Sequence, residues 1–291
     1  MCLYAQFLSH SFVPDSIKNY LSGVKLLHII LGFEYPFSGN ILLNLTLRGI
    51  SRGGQHTPHR ANPITPLILI AIQRVVDFTC PLQSSVFATA LLLFSLMLRL
   101  GNVLPPSINS FSPSKFLTKS RISVTDEGLL VSLMHTKTLQ FGNRILHLPV
   151  LRVHDSVLCP VTAYTHALTF SSGSDSGPLF SFSLLGHSHV LTKDLFIKTF
   201  RALAQQAGVS SPSSFTGHSF RRGGASFAFQ VGIPGEYIQI AGDGLLIVTI
   251  VTHMFPWKQN STSPTFSAPT SGPLRVKISL FLFFFSVPRK I

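Results

Sequence analysis

Acidic side chains are scarce in this sequence. Its 291 residues hold ten Asp and Glu against 23 Lys and Arg, a formal charge of +13. That balance favours a polyanionic partner, nucleic acid or an anionic membrane surface, and is silent on fold. Cysteine is scarce too. Cys2, Cys80 and Cys159 are odd in number and far apart, which excludes a disulfide framework and a cysteine-based metal pattern. They read as reduced core thiols of an intracellular protein. Long apolar runs are missing as well. The longest, Val86–Leu98 and Ile278–Val287, fall short of the ~20 residues that span a bilayer. The N-terminus lacks the basic region and small-residue cleavage site of a signal peptide. A soluble chain is therefore the first expectation. Yet mean hydropathy is +0.39 and only 11% of residues are charged, so membrane association through the tail stays open as the alternative.

Residues 1–62 read as helical. Asp15-Ser16 after Pro14 predicts an N-cap. Ile17, Tyr20, Leu21, Val24, Leu27 and Leu31 follow at helical spacing and end at Gly32, with Lys18 and Lys25 on the wet face. Arg48–Asn62 has no periodicity and reads as a basic linker. Thr65-Pro66 predicts a cap and a first-turn proline, with Ile68, Ile72 and Val75 as the buried stripe. Ser84 or Ser85 would open a helix over Val86–Leu98 that is apolar all round and belongs inside a core. Three segments with period two then surround turns at Thr125–Gly128 and Thr138–Asn143, predicting a three-stranded antiparallel sheet. Helices resume after Pro160, over Thr192–Ala207 and over His218–Val231, with a short one from Pro234 to about Gly242. The class is α+β, mainly α.

His218 and Arg221 lie three apart at a predicted helix start, where backbone N–H groups and two cationic side chains could meet one anion. The plain alternative is a solvated helix start. Arg99 ends an apolar helix, where a charge escapes to water or meets a partner; the helix dipole alone would also favour it. Lys137 sits in a hairpin, where lysines are ordinarily just solvated. Taken in order, an arginine, a hairpin lysine and His-x-x-Arg are what one phosphate site built from three elements needs.

At these residues a resemblance emerges. LLLFSLMLRLGNVL (91–104) is similar to the first arginine box of tyrosine recombinases, the phage-integrase type. HTKTLQFGNR (135–144) resembles their β-hairpin lysine segment. TGHSFRRGGASFAFQVGIP (216–234) resembles the His-x-x-Arg box as found in DIRS-, Ngaro- and Crypton-type mobile elements. SIKNYLSGVKLLHIILG (16–32) and RANPITPLIL (60–69) resemble the helical DNA-clamping domain and its junction. The resemblance implies a truncated clamp domain over 1–62 and a catalytic domain over 63–243, closing on double-stranded DNA in a nucleus. It implies Arg99 and Arg221 on the scissile phosphate, His218 in proton transfer, and Lys137 protonating the leaving 5′ oxygen. A tyrosine would form a 3′-phosphotyrosyl link, with no metal and no nucleotide cofactor. Arg222, Lys18 and Lys25 would contact DNA. Family members assemble as homo-oligomers, tetramers on paired sites, through a C-terminal helix. This chain is expected to lack that helix and so to fail in assembly.

The resemblance stops after Gly242-Asp243. Asp243 stands where the family carries its second histidine. None of the five tyrosines (Tyr4, Tyr20, Tyr35, Tyr164, Tyr237) reaches the nucleophile's register, which falls on Thr252. Reading the gene one base earlier from codon 244 permits W-A-S-D-S-Y, then a tyrosine at Thr252, then V-P-L-E, the family's ending. Residues 244–291 hold no Asp or Glu and end in a run of phenylalanines. They are expected to be an unstructured, out-of-frame tail, and the chain to be a catalytically dead recombinase. Alternatives are a non-catalytic DNA-binding module of the same descent and a membrane-associated protein using that tail.

Overall fold

The computed structural model describes residues 1–53, 61–134, 145–184, 186–236 and 238. The chain divides into two compact units, Met1–Arg60 and Ala61–Ile291.

The first unit packs α1 (Cys2–Ser9), α2 (Pro14–Ile30) and α3 (Ile41–Gly53). Pro14 takes the first turn of α2, and the N-cap is Val13 rather than Asp15 or Ser16. A ring-fixed φ and a missing N–H suit that first position, and Asp15 then lies beside the positive end of the helix. Gly32 ends α2 as expected. Its φ is +74°, and the Phe33 N–H reaches back to the His28 carbonyl at 2.9 Å, the six-to-one bond of a glycine-closed helix end. The buried stripe is shorter than its spacing predicts. Ile17 and Leu21 are buried, with Ala5, Leu8 and Leu43 against them. Tyr20, Leu27 and Leu31 stay 45%, 54% and 58% exposed, because α1 and α3 cover only part of α2. Arg48–Gly53, expected as linker, continues α3.

In the second unit, Thr65 caps α4 (Pro66–Gln73) by accepting the Ile68 N–H. The buried residues of α4 are Leu69 and Ile72; Ile68 and Val75 pack only partly. Helix α5 runs over Pro81–Ser95, one turn earlier than Ser84 or Ser85 would start it, again because a proline holds the first position. Every residue from Ser84 to Phe94 is buried, as an all-round apolar helix requires. Around it pack α7 (Pro160–Leu168), α8 (Lys193–Gln206) and α9 (Gly217–Gln230). Gly208 and Gly232 follow α8 and α9 with φ of +71° and +83°.

The predicted sheet forms from β1 (Ile122–Val124), β2 (Gly128–Leu133) and β3 (Leu146–Leu151), antiparallel in that order. Val131 pairs with Leu148 and Ser132 with His147. Period-two alternation sends Leu129, Val131, Leu133, Leu146, Leu148 and Val150 into the core. Its first turn is closed by the Thr125 N–H to the Gly128 carbonyl at 2.8 Å; the second lies in 135–144, outside the described residues. A second hairpin, β4 (Ser181–Leu184) with β5 (His187–Val190), has no counterpart in the sequence reading. Its strands are four residues each, too short for a periodic signal. Among the described residues, no helix is long and apolar enough to cross a membrane.

Candidate nucleic-acid interface

Helix α5 does not reach Arg99. It closes at Ser95 through a six-to-one turn, the Leu98 N–H on the Leu93 carbonyl at 3.1 Å. Met97 fills the left-handed position, φ +50°, which glycine usually takes. Arg99 then becomes the N-cap residue of a four-residue helix, α6 (Leu100–Val103). It is half-buried, so the expected helix-ending arginine instead starts the next turn.

Helix α9 brings His218 and Arg221 to this bend. Thr216 caps it and forms a capping box with Ser219. The His218 N–H goes to Thr216 Oγ1 at 3.2 Å, the Ser219 N–H to the Thr216 carbonyl at 3.0 Å, and the Thr216 N–H to Ser219 Oγ at 2.9 Å. This narrows the expectation of unpaired amides at the helix start: the N–H groups of Thr216, His218 and Ser219 are engaged by the capping box. Thr216→Ala is expected to cost about 1 kcal/mol, the usual loss of a hydroxyl cap; a urea midpoint equal to wild type would contradict the cap's role.

Three glycines set how closely α9 approaches. A Cβ at Gly217 would lie 2.9 Å from Leu100 Cβ, at Gly223 1.9 Å from the Ile64 carbonyl oxygen, and at Gly224 2.2 Å from that of Phe94. The helix therefore lies backbone against backbone on the end of α5. Arg221 Nη1 donates to the Met97 carbonyl at 3.1 Å. With Gly217 on Leu100, chain geometry holds the Arg99 and His218 Cα atoms within about 14 Å. Arg99, His218 and Arg221, distant in sequence, share one neighbourhood. His218 is exposed and Arg221 half-buried.

Aromatic packing fixes the approach. Phe220 meets Phe200 and Phe196 of α8 at ring-centre distances of 4.7 and 5.3 Å, and Phe215 meets Phe200 at 6.1 Å. Arg201 of α8 donates from Nε and Nη2 to the Phe215 carbonyl at 2.8 and 2.6 Å. Arg201 thus positions the segment entering α9. The sequence reading missed it, since only the fold brings it to Phe215.

Other basic residues divide by what already holds them. Arg222 donates to the Ala61 carbonyl, so part of its guanidinium serves the protein rather than a ligand. Arg121 donates to the Phe116 carbonyl and Arg152 to that of Asp126. Lys119 Nζ is taken by the Ser172 and Gly173 carbonyls at 2.8 and 3.1 Å; burial pushes its ammonium below the usual lysine range, opposed by Asp175. In the first unit Lys18 pairs with Asp15 at 3.0 Å, and Lys25 Nζ stands 5.9 Å over the Tyr35 ring. The Lys18–Asp15 pair is the sole salt bridge among the described residues. Lys137, Asp243, Tyr237 and the Thr252 register lie outside the described residues.

No protein-family model matches the sequence, and no curated protein matches it. Solved structures do. A XerH site-specific recombinase, in a post-cleavage complex with a palindromic difH substrate, superposes with a TM-score of 0.53 at 15% identity, over 86% of this chain and 68% of that one. XerH in a pre-cleavage complex gives 0.44 at 11% identity, over 78% and 64%. A XerA recombinase gives 0.42 at 13%, over 98% and 89%. Of these three superpositions, the first is close enough to bear on fold. Mainly helical, with a small three-stranded antiparallel sheet, the chain has the tyrosine-recombinase fold.

Proposed function

We propose that this protein binds duplex DNA by its phosphates, with Arg99, His218 and Arg221 on one phosphate, and does not cut it. The observation that carries the reading is the anchoring of Arg221 on the Met97 carbonyl, two residues from Arg99. It gathers two guanidiniums and an imidazole at one bend. Guanidiniums grip phosphate oxygens in pairs, and a half-buried setting strengthens each bond. On this reading nothing attacks the phosphorus, because the nucleophile's register holds Thr252. A threonine hydroxyl there lacks the phenol's readiness to ionise. The HSFRRGG segment supports kinship with the recombinases of DIRS-, Ngaro- and Crypton-type elements, and hence a nuclear site of action.

Titrating a fluorescent duplex at increasing salt tests the binding. The phosphate held at this site contributes about −0.9 to the log–log slope, and each further phosphate engaged along the duplex steepens it by as much. An affinity that is absent or indifferent to salt would overturn it. A nicked suicide duplex tests the second half: no covalent protein–DNA adduct is expected, and an adduct surviving denaturation would refute the loss of cutting.

A further inference from the structure

Lys193 is the first residue of α8, and nothing in its sequence context sets it apart. Its backbone N–H donates to the Pro105 carbonyl at 3.0 Å, which ties the start of α8 to the segment after α6. Its side chain runs over Phe116, with Nζ 5.9 Å from the ring centre. It ends on α6: a Cβ at Gly101 would lie 3.3 Å from Nζ and 3.7 Å from Cε. Gly101 is two residues from Arg99. The ammonium is therefore held, half-buried, beside the bend that carries Arg99 and receives Arg221.

Two costs oppose this placement. The start of α8 carries the positive end of its dipole, which disfavours a cation. Like charges gathered in a half-buried place also repel, more strongly than in water. The fold offers no compensation among the described residues. Lys193 makes no salt bridge among them, and its ammonium stands 5.9 Å from the centre of the Phe116 ring. Asp194 beside it is exposed and unpaired with it. Lys119, Arg121, Arg152, Arg201 and Arg222 each hold a backbone carbonyl; Lys193 holds none. A cation placed beside other cations, with its donors unspent, is suited to an anion that arrives from outside.

We infer that Lys193 is a further phosphate-binding residue of the DNA site, gripping the backbone beside the phosphate assigned to Arg99 and Arg221. This rests on the proposed duplex binding. Gly101 is then the residue that makes room, since any side chain there would press on the ammonium.

The test compares wild type, Lys193→Met and Lys193→Arg as full-length chains in the duplex salt titration. Lys193→Met keeps the stem over Phe116 and removes the charge. It is expected to bind about 3- to 10-fold more weakly at low salt, with a slope shallower by about 0.9, one phosphate contact. Lys193→Arg is expected to restore both. On the wild-type chain, acylation of Lys193 read by mass spectrometry is expected to fall several-fold when duplex is present, while Lys119 is unchanged. If wild type shows the salt-dependent binding and Lys193→Met keeps its slope, or Lys193 stays equally reactive with DNA bound, the assignment of Lys193 is wrong and the duplex reading stands. If wild type shows no salt-dependent binding, both fall together.

Discussion

Gly224→Ala is expected to destabilise the second unit by about 3 kcal/mol or more, the upper range for overpacking a close contact. The new methyl would lie 2.2 Å from the Phe94 carbonyl oxygen. That oxygen is backbone in the last turn of a helix buried from Ser84 to Phe94, so no flexible side-chain end can move aside. Gly223→Ala meets the same obstacle at the Ile64 carbonyl, at 1.9 Å. To relieve the Gly224 contact α9 must withdraw from the end of α5, which strains the Arg221–Met97 bond. Against a total stability of about 5–15 kcal/mol, this is a large loss. Trp257, the sole tryptophan, lies outside the described residues, so urea unfolding is best followed by far-ultraviolet circular dichroism. Gly23→Ala in α2 is the control. It has nothing within 4 Å and should stabilise by about 0.5–1 kcal/mol, because alanine loses less entropy in a helix. Equal midpoints for Gly224→Ala and wild type would mean that the helices are not packed this closely.

Arg221→Gln is expected to weaken duplex binding roughly 10- to 100-fold at moderate salt, the equivalent of about 1.5–3 kcal/mol for hydrogen bonds to a charged group. Arg221 has two tasks on the proposed reading. One N–H holds the Met97 carbonyl at 3.1 Å, and the guanidinium charge meets the phosphate. Lysine has the charge but not the fork, so Arg221→Lys should recover only part of the affinity. Arg99→Gln should show a similar loss of binding without a change in stability, since its side chain makes no hydrogen bond or salt bridge among the described residues. If the two arginines share one phosphate, the double variant will lose less than the sum of the singles. Binding by Arg221→Gln within twofold of wild type would remove Arg221 from the site. Strictly additive losses would place the two arginines on different phosphates.

Several parts of this molecule were legible one segment at a time. Pro14, Pro66 and Pro160 each open a helix, and Gly32, Gly208 and Gly232 each follow one with a positive φ. The period-two runs became β1 to β3, with the Thr125–Gly128 turn between the first two. The apolar stretch around Val86–Phe94 became the centre of the core. Where the reading slipped, a neighbour decided. Leu27 and Leu31 have helical spacing yet stay exposed, because burial needs a second surface that periodicity does not describe. Arg99 was placed at the end of a helix that stops four residues sooner, at a Met97 turn whose left-handed backbone no methionine announces.

The sequence by itself determined the helical texture, the small sheet, the basic excess and the residue types suited to a phosphate, because propensity, period and charge are local properties. The tertiary structure alone decided which of those residues meet. Arg221 reaches Met97 across 124 positions of chain, Arg201 steadies the entrance to α9, and Lys193 comes to rest against Gly101. The first exists because Gly223 and Gly224 let α9 lie against backbone, and the second because Phe200, Phe215 and Phe220 hold α8 and α9 together. Such proximity is a property of the packed chain, and no stretch of sequence carries it.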